Sequence, residues 1–267
     1  MADDRTLPRI DTTRAHPARV YDFWLGGKDN FAADREAAEL ALQAYPALAA
    51  AMQSNRAFLG RAVRFLVDAG IRQFLDIGTG LPTVNNTHEV AQAVAPQSRV
   101  VYVDNDPIVL AHARALLTSS PEGATTYIDA DLQDPEKIIA EASRTLNFTE
   151  PVAITLIAIL HHIASYEQAR KIVDRLMRAV PPGSYLVISH STNVINGARS
   201  DEAVAQWNKF GKPQVILRSP DQIAGFFDGL ELLEPGVVST TRWRPGRVDI
   251  GGEPREVDQF CGVARKP

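Results

Sequence analysis

The chain has 267 residues, of which 45% are apolar and 22% charged, with a formal net charge of −4. That is enough apolar material for one large core or two small ones, and the acidic balance gives no reason to expect nucleic acid or an anionic membrane as partner. The single cysteine, Cys261, excludes an intrachain disulfide and a cysteine-rich metal site. The longest apolar run, 152–160, is less than half of a bilayer span. The start, MADDRTLPRI, lacks the basic end and apolar middle of a secretion signal, so the expected location is the cytoplasm.

From Thr12 the pattern turns helical. Thr12 or Thr13 can cap, and Val20, Phe23 and Trp24 recur at helical spacing until Gly26-Gly27. An alanine-rich helix is predicted at 33–44, and Pro46 opens the next short piece. Asn55 reads as the cap of a helix carrying Phe58, Leu59, Val63, Phe65, Leu66 and Val67, closed by Gly70. Beyond Gly70, short β-rich segments at 73–77, 100–103, 125–128, 152–158 and 185–189 alternate with helical stretches at 86–94, 107–117, 135–145 and 166–179. Two later strands are expected at 230–233 and 260–264, separated by a polar loop. This alternation predicts a doubly wound α/β domain with a mostly parallel, seven-stranded sheet and an N-terminal helical extension. The expected division is 1–70 for the extension, a candidate lid, and 71–267 for the ligand-binding domain, the whole forming one compact unit.

Ligands of an open parallel sheet collect at the carboxyl ends of its strands, where strand order reverses. The first strand ends in Asp76-Ile77-Gly78-Thr79-Gly80-Leu81-Pro82, and the two glycines let a loop approach a ligand closely. The second ends in Asp104, a carboxylate placed to accept from both hydroxyls of a ribose. Asp106, before Pro107, reads as a helix cap. The third ends near Asp129 and Asp131; Asp131 is preferred for an exocyclic amine because Asp129 can still belong to the strand. A nicotinamide dinucleotide would use the same sheet, but its fingerprint wants glycine where Thr83 stands.

The runs LDIGTG, VVYVDNDP, YIDADLQDP, AILHHI and PPGSYLVIS resemble, in order, the motifs of Rossmann-type (class I) S-adenosylmethionine methyltransferases. AHPARVYDFWLGGKDNF, FLDIGTGLPT with NTHEVAQ, VVYVDNDPIVL and the terminal GVARKP resemble one actinobacterial family of S-adenosyl methyltransferases, formerly a domain of unknown function. The resemblance covers nearly the whole chain. It implies a methyltransferase that uses S-adenosylmethionine, releases S-adenosylhomocysteine and acts on a small-molecule acceptor. It further implies that Asp76, Gly78, Thr79 and Gly80 lie beside the methionine moiety and that Asp104 holds the ribose. Asn105 would flank adenine, Asp131 and Leu132 would address its edge, and Ala158 would lie near the transferred methyl. Pro82 departs from the usual third glycine, as in the leucine carboxyl methyltransferases, so the next helix must start differently.

A sulfonium methyl is already electrophilic, so no triad or metal is expected, and a base is needed only for a protonated acceptor. His161 and His162, after the fourth strand, are candidates to orient the acceptor or take its proton; either can instead pack or cap the loop. His190 reads as structural. Tyr21 is an acceptor-side candidate within an aromatic N-terminal segment whose Gly26-Gly27 is a helix cap or a lid hinge. Arg56 either pairs with the donor's carboxylate or sits on a helix surface. The basic loop 243–252 either borders the acceptor site or is solvated. A noncatalytic S-adenosylmethionine-binding regulator is the alternative function, with a nicotinamide oxidoreductase behind it, and homodimer formation is left open.

Overall fold

A computed structural model describes residues 11–83, 85–116, 119–246 and 255–267. Five parallel strands, β1 (Gln73–Ile77), β2 (Arg99–Asp104), β3 (Ala124–Asp129), β4 (Ala153–Ile157) and β5 (Tyr185–Ser191), stand in the order 3-2-1-4-5. The order reverses between β1 and β4, which places the crevice at their carboxyl ends. An antiparallel strand, β8 (Gln259–Arg265), pairs with β5 from Tyr185↔Arg265 to Ser191↔Gln259.

Both faces of the sheet are covered, as parallel strands require. On one face Ile77, Val101, Val103, Leu156 and Ile188 pack with Ile138 of α6 (Pro135–Ala142) and Ile172 and Leu176 of α7 (Tyr166–Arg178). The alternate residues Phe74, Val100, Tyr102 and Val187 turn to the other face. There they meet Phe58, Val63 and Leu66 of α3 (Leu48–Asp68) and Val90 and Ala91 of α4 (Thr87–Val94). The helix α3 therefore belongs to the sheet's own core. Among the described residues, no helix is long and apolar enough to cross a membrane.

Several sequence expectations need correction. The helix α1 (Pro17–Trp24) is capped by His16, not Thr12 or Thr13, because Pro17 brings a preset φ and needs no N–H partner in the first turn. Thr13 bonds Asp11 instead. Asn55 is no cap: α3 starts seven residues earlier, and Asn55 lies buried within it, its Nδ2 donating to Tyr21 Oη at 3.1 Å. The helix α8 (Ala198–Phe210) was not expected; its buried Ser200, Ala203 and Trp207 form no continuous apolar stripe. The sixth strand position is split between β6 (Glu231–Leu232) and β7 (Val238–Ser239), which both pair with β8, giving eight strands among the described residues. Glu234-Pro235-Gly236 between them cannot stay in the ladder, since Pro has no N–H and Gly236 sits at φ +84°. The predicted fraying of 1–10, Leu117 and most of the loop 243–252 lie outside the described residues.

Candidate active site

The loop after β1 is folded by its two glycines. Gly78 (φ +76°) donates its N–H to Val103 O at 2.8 Å, and a Cβ there would lie 2.6 Å from Ile159 Cγ1. Gly80 (φ +64°) donates to Asp104 Oδ2 at 2.8 Å, while Asp104 Oδ1 accepts from the N–H groups of Asn105 and Asp106. Asp104 thus ties the first strand tip to the second. Burial pushes its carboxyl pKa up, against the pull of the Asp106 and Gly80 N–H groups. Asp76 accepts from Thr155 Oγ1 and Thr87 Oγ1, each at 2.6 Å, and burial raises its pKa against those bonds and the Arg56 charge.

Pro82 has the expected consequence downstream. Thr83 N donates to Asn86 Oδ1, and α4 begins only at Thr87, with Glu89 Oε2 accepting from Asn86 N at 2.8 Å. The next helix amide, His88 N, donates to Tyr102 Oη at 2.8 Å. Three of the amides at this helix start, those of Thr83, Asn86 and His88, are thus already engaged within the protein.

The strand tips open into a cavity of about 360 Å³. Its walls include every cofactor candidate: Asp76, Gly78, Thr79, Gly80, Asp104, Asn105, Asp131, Leu132, Ala158 and Arg56. They also include Tyr21, His161 and His162, and exclude Asp129 and His190. Asn105 Nδ2 reaches Asp131 Oδ2 at 3.5 Å, and Arg56 Nη2 donates to Asn86 Oδ1 at 3.0 Å. Ala158 sits at φ +53°, a costly conformation for a residue with a Cβ. Its N–H donates to Ser189 O and Oγ, which holds that turn at the tip of β4.

The far walls come from the N-terminal helices and from a region the sequence did not mark, α8 and the segment 213–217. Trp24 of α1, Tyr45 just after α2 (Ala32–Ala44), Leu48 of α3, Trp207 of α8, Val215 and Leu217 line this side. Residues 11–34 are fixed by a buried ion pair: Asp34 Oδ1 accepts from Arg19 Nε at 3.1 Å and His16 N at 2.9 Å, and Oδ2 from Phe31 N at 2.8 Å. His16 Nδ1 accepts from Ala18 N at 3.4 Å and lies 2.8 Å from Asp106 Oδ2. Burial would raise the Asp106 pKa, but the His16 bond and charge bring it below the usual range; Asp106 Oδ1 also caps α5 (Pro107–Leu116) through Ile108 N. Gly26 (φ +82°) and Gly27 terminate α1: Gly27 N donates to Asp22 O, and a Cβ on Gly27 would lie 1.9 Å from Asp22 Oδ1. That accounts for both glycines without a hinge. Tyr21 Oη donates to Met52 O at 3.1 Å and accepts from Asn55, so its hydroxyl is engaged on both sides.

Three histidines crowd the ends of β4 and β5. His190 is fully buried; its Nδ1 donates to Ser191 O at 2.8 Å and its Nε2 accepts from Arg218 Nη1 at 2.7 Å. Burial lowers its pKa to about 3, with the Arg218 charge acting in the same direction against the Ser191 bond. His162 Nδ1 lies 3.2 Å from Gln214 O, and burial lowers its pKa to about 4. His161 Nδ1 lies 3.1 Å from Ser191 Oγ; burial and the neighbouring His162, His190 and Arg218 hold its pKa well below 6.5.

Comparison with known proteins gives these residues a family. A family model described as S-adenosyl methyltransferase matches residues 3–267. A DUF574-family protein from Streptomyces avermitilis is 46% identical, with a TM-score of 0.93 over 97% of this chain and 100% of that one. A candidate methyltransferase from Thermobifida fusca is 42% identical, with a TM-score of 0.87 over 97% of each chain. The magnesium protoporphyrin IX methyltransferase of Synechocystis, 14% identical, shares the fold at a TM-score of 0.51 over 81% of this chain and 85% of that one. No functionally curated protein matches the chain. A doubly wound sheet with its crevice at β1 and β4, matched over nearly its full length, places the chain in the S-adenosyl methyltransferase family, whose methyl donor is S-adenosylmethionine.

Proposed function

We propose that this chain transfers a methyl group from S-adenosylmethionine to a heteroatom of a small-molecule acceptor within the cavity that joins the strand tips to His161 and His162. The observation that carries the reading is that every cofactor candidate and both histidines line that one cavity. The donor set suits the nucleoside: Gly80, Asn105 and Asp106 take three of the four lone-pair sites of Asp104, leaving one on Oδ2 for a ribose hydroxyl, and Asn105, Asp131 and Leu132 stand where adenine would lie. The loop packs on Ile159 at Gly78, whereas at Gly80 a Cβ would meet only Ala18, at 4.0 Å, so the open space for a methionine chain lies beside Gly80. Asp76 and Arg56, of opposite charge, suit the ammonium and carboxylate ends respectively.

The donor supplies an electrophilic methyl: its S–C bond breaks with the electron pair staying on sulfur, a bond forms to the acceptor heteroatom, and the acceptor's proton leaves. The chain's own residues then have three tasks. The β1 loop and Asp104 orient the donor, α1 and α2 screen the site from water, and an imidazole receives the acceptor's proton. Tyr21 contributes its ring, because its hydroxyl is engaged by Met52 and Asn55. Within this reading α1 and α2 act as a cover, tied together by Arg19–Asp34 and to the start of α5 by His16–Asp106, while α3 belongs to the core of the sheet. A cytoplasmic setting, supported by the single, buried Cys261, is part of the same proposal. The test is acceptor-dependent formation of S-adenosylhomocysteine across a panel of alcohols, phenols, amines and carboxylic acids. Turnover with one class is expected; a protein that binds S-adenosylhomocysteine yet turns over none of them would be a noncatalytic binder.

A further inference from the structure

The protons of the two cavity histidines can be assigned from their partners. Gln214 O is a backbone carbonyl and only accepts, so His162 carries its proton on Nδ1. His161 is fixed through a longer chain. Gln259 Nε2 donates to Ser189 Oγ at 3.3 Å, which orients the amide so that its Oε1 accepts from Ser191 Oγ at 3.0 Å. With the Ser191 hydroxyl proton spent there, Ser191 Oγ accepts from His161 Nδ1 at 3.1 Å. His161 therefore also carries its proton on Nδ1. The same Ser189 Oγ accepts from Ala158 N, so the chain starts at the β4 tip.

Both histidines are left with a bare Nε2. Among the described residues no donor reaches either of these nitrogens, whereas His190, which does not line the cavity, has its Nε2 filled by Arg218. The wall around them is apolar and aromatic: Trp24, Tyr45, Leu48, Trp207, Val215 and Leu217. Its one carboxylate among the described residues, Asp258, is consumed by Ile195 N, Asn196 N, Asn196 Nδ2 and Ser200 Oγ at 2.6–2.9 Å. No lysine or arginine lines this side among the described residues. Thr192 Oγ1, in the same wall, is buried without a partner.

We propose that Ser191, Gln259 and Ser189 are positioning residues that lock His161 in its Nδ1–H form, and that the methyl acceptor is an uncharged molecule on an apolar frame whose hydroxyl or N–H donates to His161 Nε2. The class rests on the methyl-transfer reading; the locked tautomer does not. A lone pair at the cavity wall attracts a donor. An ionised carboxylate would meet two lone pairs and no cation, and an ammonium would meet no free carboxylate. As the acceptor–methyl bond forms, the acceptor's proton moves onto His161 Nε2, and the resulting imidazolium gives it up to solvent when product leaves. The positive charge lost from sulfur is the charge gained by the imidazole, so the step balances.

Long-range proton–nitrogen NMR on the full chain labelled with ¹⁵N-histidine tests this directly. The expected spectrum of the wild type has His161 Nδ1 protonated and Nε2 bare, with the opposite tautomer appearing in Ser191→Ala and Gln259→Met. Ser191→Ala, a small change, serves if Gln259→Met fails to fold. A proton on His161 Nε2 in the wild type overturns the lock, as does a tautomer unchanged in Ser191→Ala. With S-adenosylhomocysteine bound, 2-naphthol should shift the His161 Nε2 signal at a concentration at least tenfold below that needed for 2-naphthoate. An equal or stronger response to naphthoate, or no response to naphthol, overturns the acceptor class. If S-adenosylhomocysteine itself does not bind while His161 Nε2 stays bare, the methyl-transfer reading fails and the positioning chain stands.

Discussion

The two halves of the cavity are built by opposite means. The strand-tip half is polar and short-ranged: Asp76 and Asp104 lie at the ends of β1 and β2, the Gly78–Gly80 loop and Asp131 come directly after β1 and β3, and Asp104 bonds the neighbouring loop directly. The helical half is apolar and long-ranged, assembled from α1, α2, α8 and the segment 213–217, with a few buried polar ties. A half fixed by backbone hydrogen bonds suits one invariant ligand. A half fixed by side-chain packing can be reshaped by substituting a few residues, which is where acceptor choice belongs.

That contrast can be broken from the helical side first. Asp34→Ala removes three hydrogen bonds and strands a buried Arg19, so it should destabilise the protein by about 3–5 kcal/mol, read as a lowered urea midpoint. A loss below about 1 kcal/mol would mean that the N-terminal helices are held by packing alone. On the strand-tip side, Asp104→Ala should weaken S-adenosylhomocysteine binding by about 1–3 kcal/mol in calorimetry. Unchanged affinity in a folded variant would put the ribose elsewhere. Gly27→Ala forces Asp22 away from Asn30 and Asp29 and should cost about 1–3 kcal/mol of stability, with little effect on donor affinity if the glycine is a cap. A large change in affinity with stability intact would restore a hinge.

The histidines between the halves predict a pH dependence. Unfolded histidine titrates near 6.5, whereas His162 and His190 titrate near 4 and 3 in the folded chain. Their folded values are depressed, so their contribution is full above pH 6.5 and is lost as pH falls toward 4 and then 3. Each adds a slope of up to about 1.4 kcal/mol per pH unit in that window. Asp76 and Asp104, whose values are raised, act in the opposite sense and soften the loss at the acid end. Urea unfolding at pH 7, 6 and 5 checks the sign; stability that does not fall across these points would place the imidazoles in water. The smallest effect sharpens the comparison most cleanly: Leu217→Ala, in the apolar wall, should leave S-adenosylhomocysteine affinity within about twofold of wild type.

The same contrast explains what could be read from the sequence. Strand tips are legible because their chemistry is local: a continuous apolar run ends, and the ligand-facing residue stands at or just beyond its end. Hence the expected strand 73–77 coincides with β1, and Asp129 stays in β3 while Asp131 lines the cavity. Asn55 misled because its cap-like chemistry is spent on Tyr21 inside a longer helix. Trp207 carries no signal in the sequence because the other buried residues of α8 add no apolar stripe: Ala203 packs on Ala41 and Tyr45, and Ser200 donates to Asp258. The His161 lock was invisible for a related reason. Its partners Ser189 and Ser191 sit near one another in sequence, but Gln259 lies 68 residues from Ser191 and is brought beside it only by the β5–β8 pairing.

The central claim is that one cavity holds the donor at the strand tips and the acceptor against the histidines. A crystal structure with S-adenosylhomocysteine tests it most directly. A ribose hydroxyl should sit on Asp104 Oδ2, with the sulfur facing open space bounded by His161 and His162. A nucleoside bound away from Asp104, or a sulfur turned from those histidines, would contradict it.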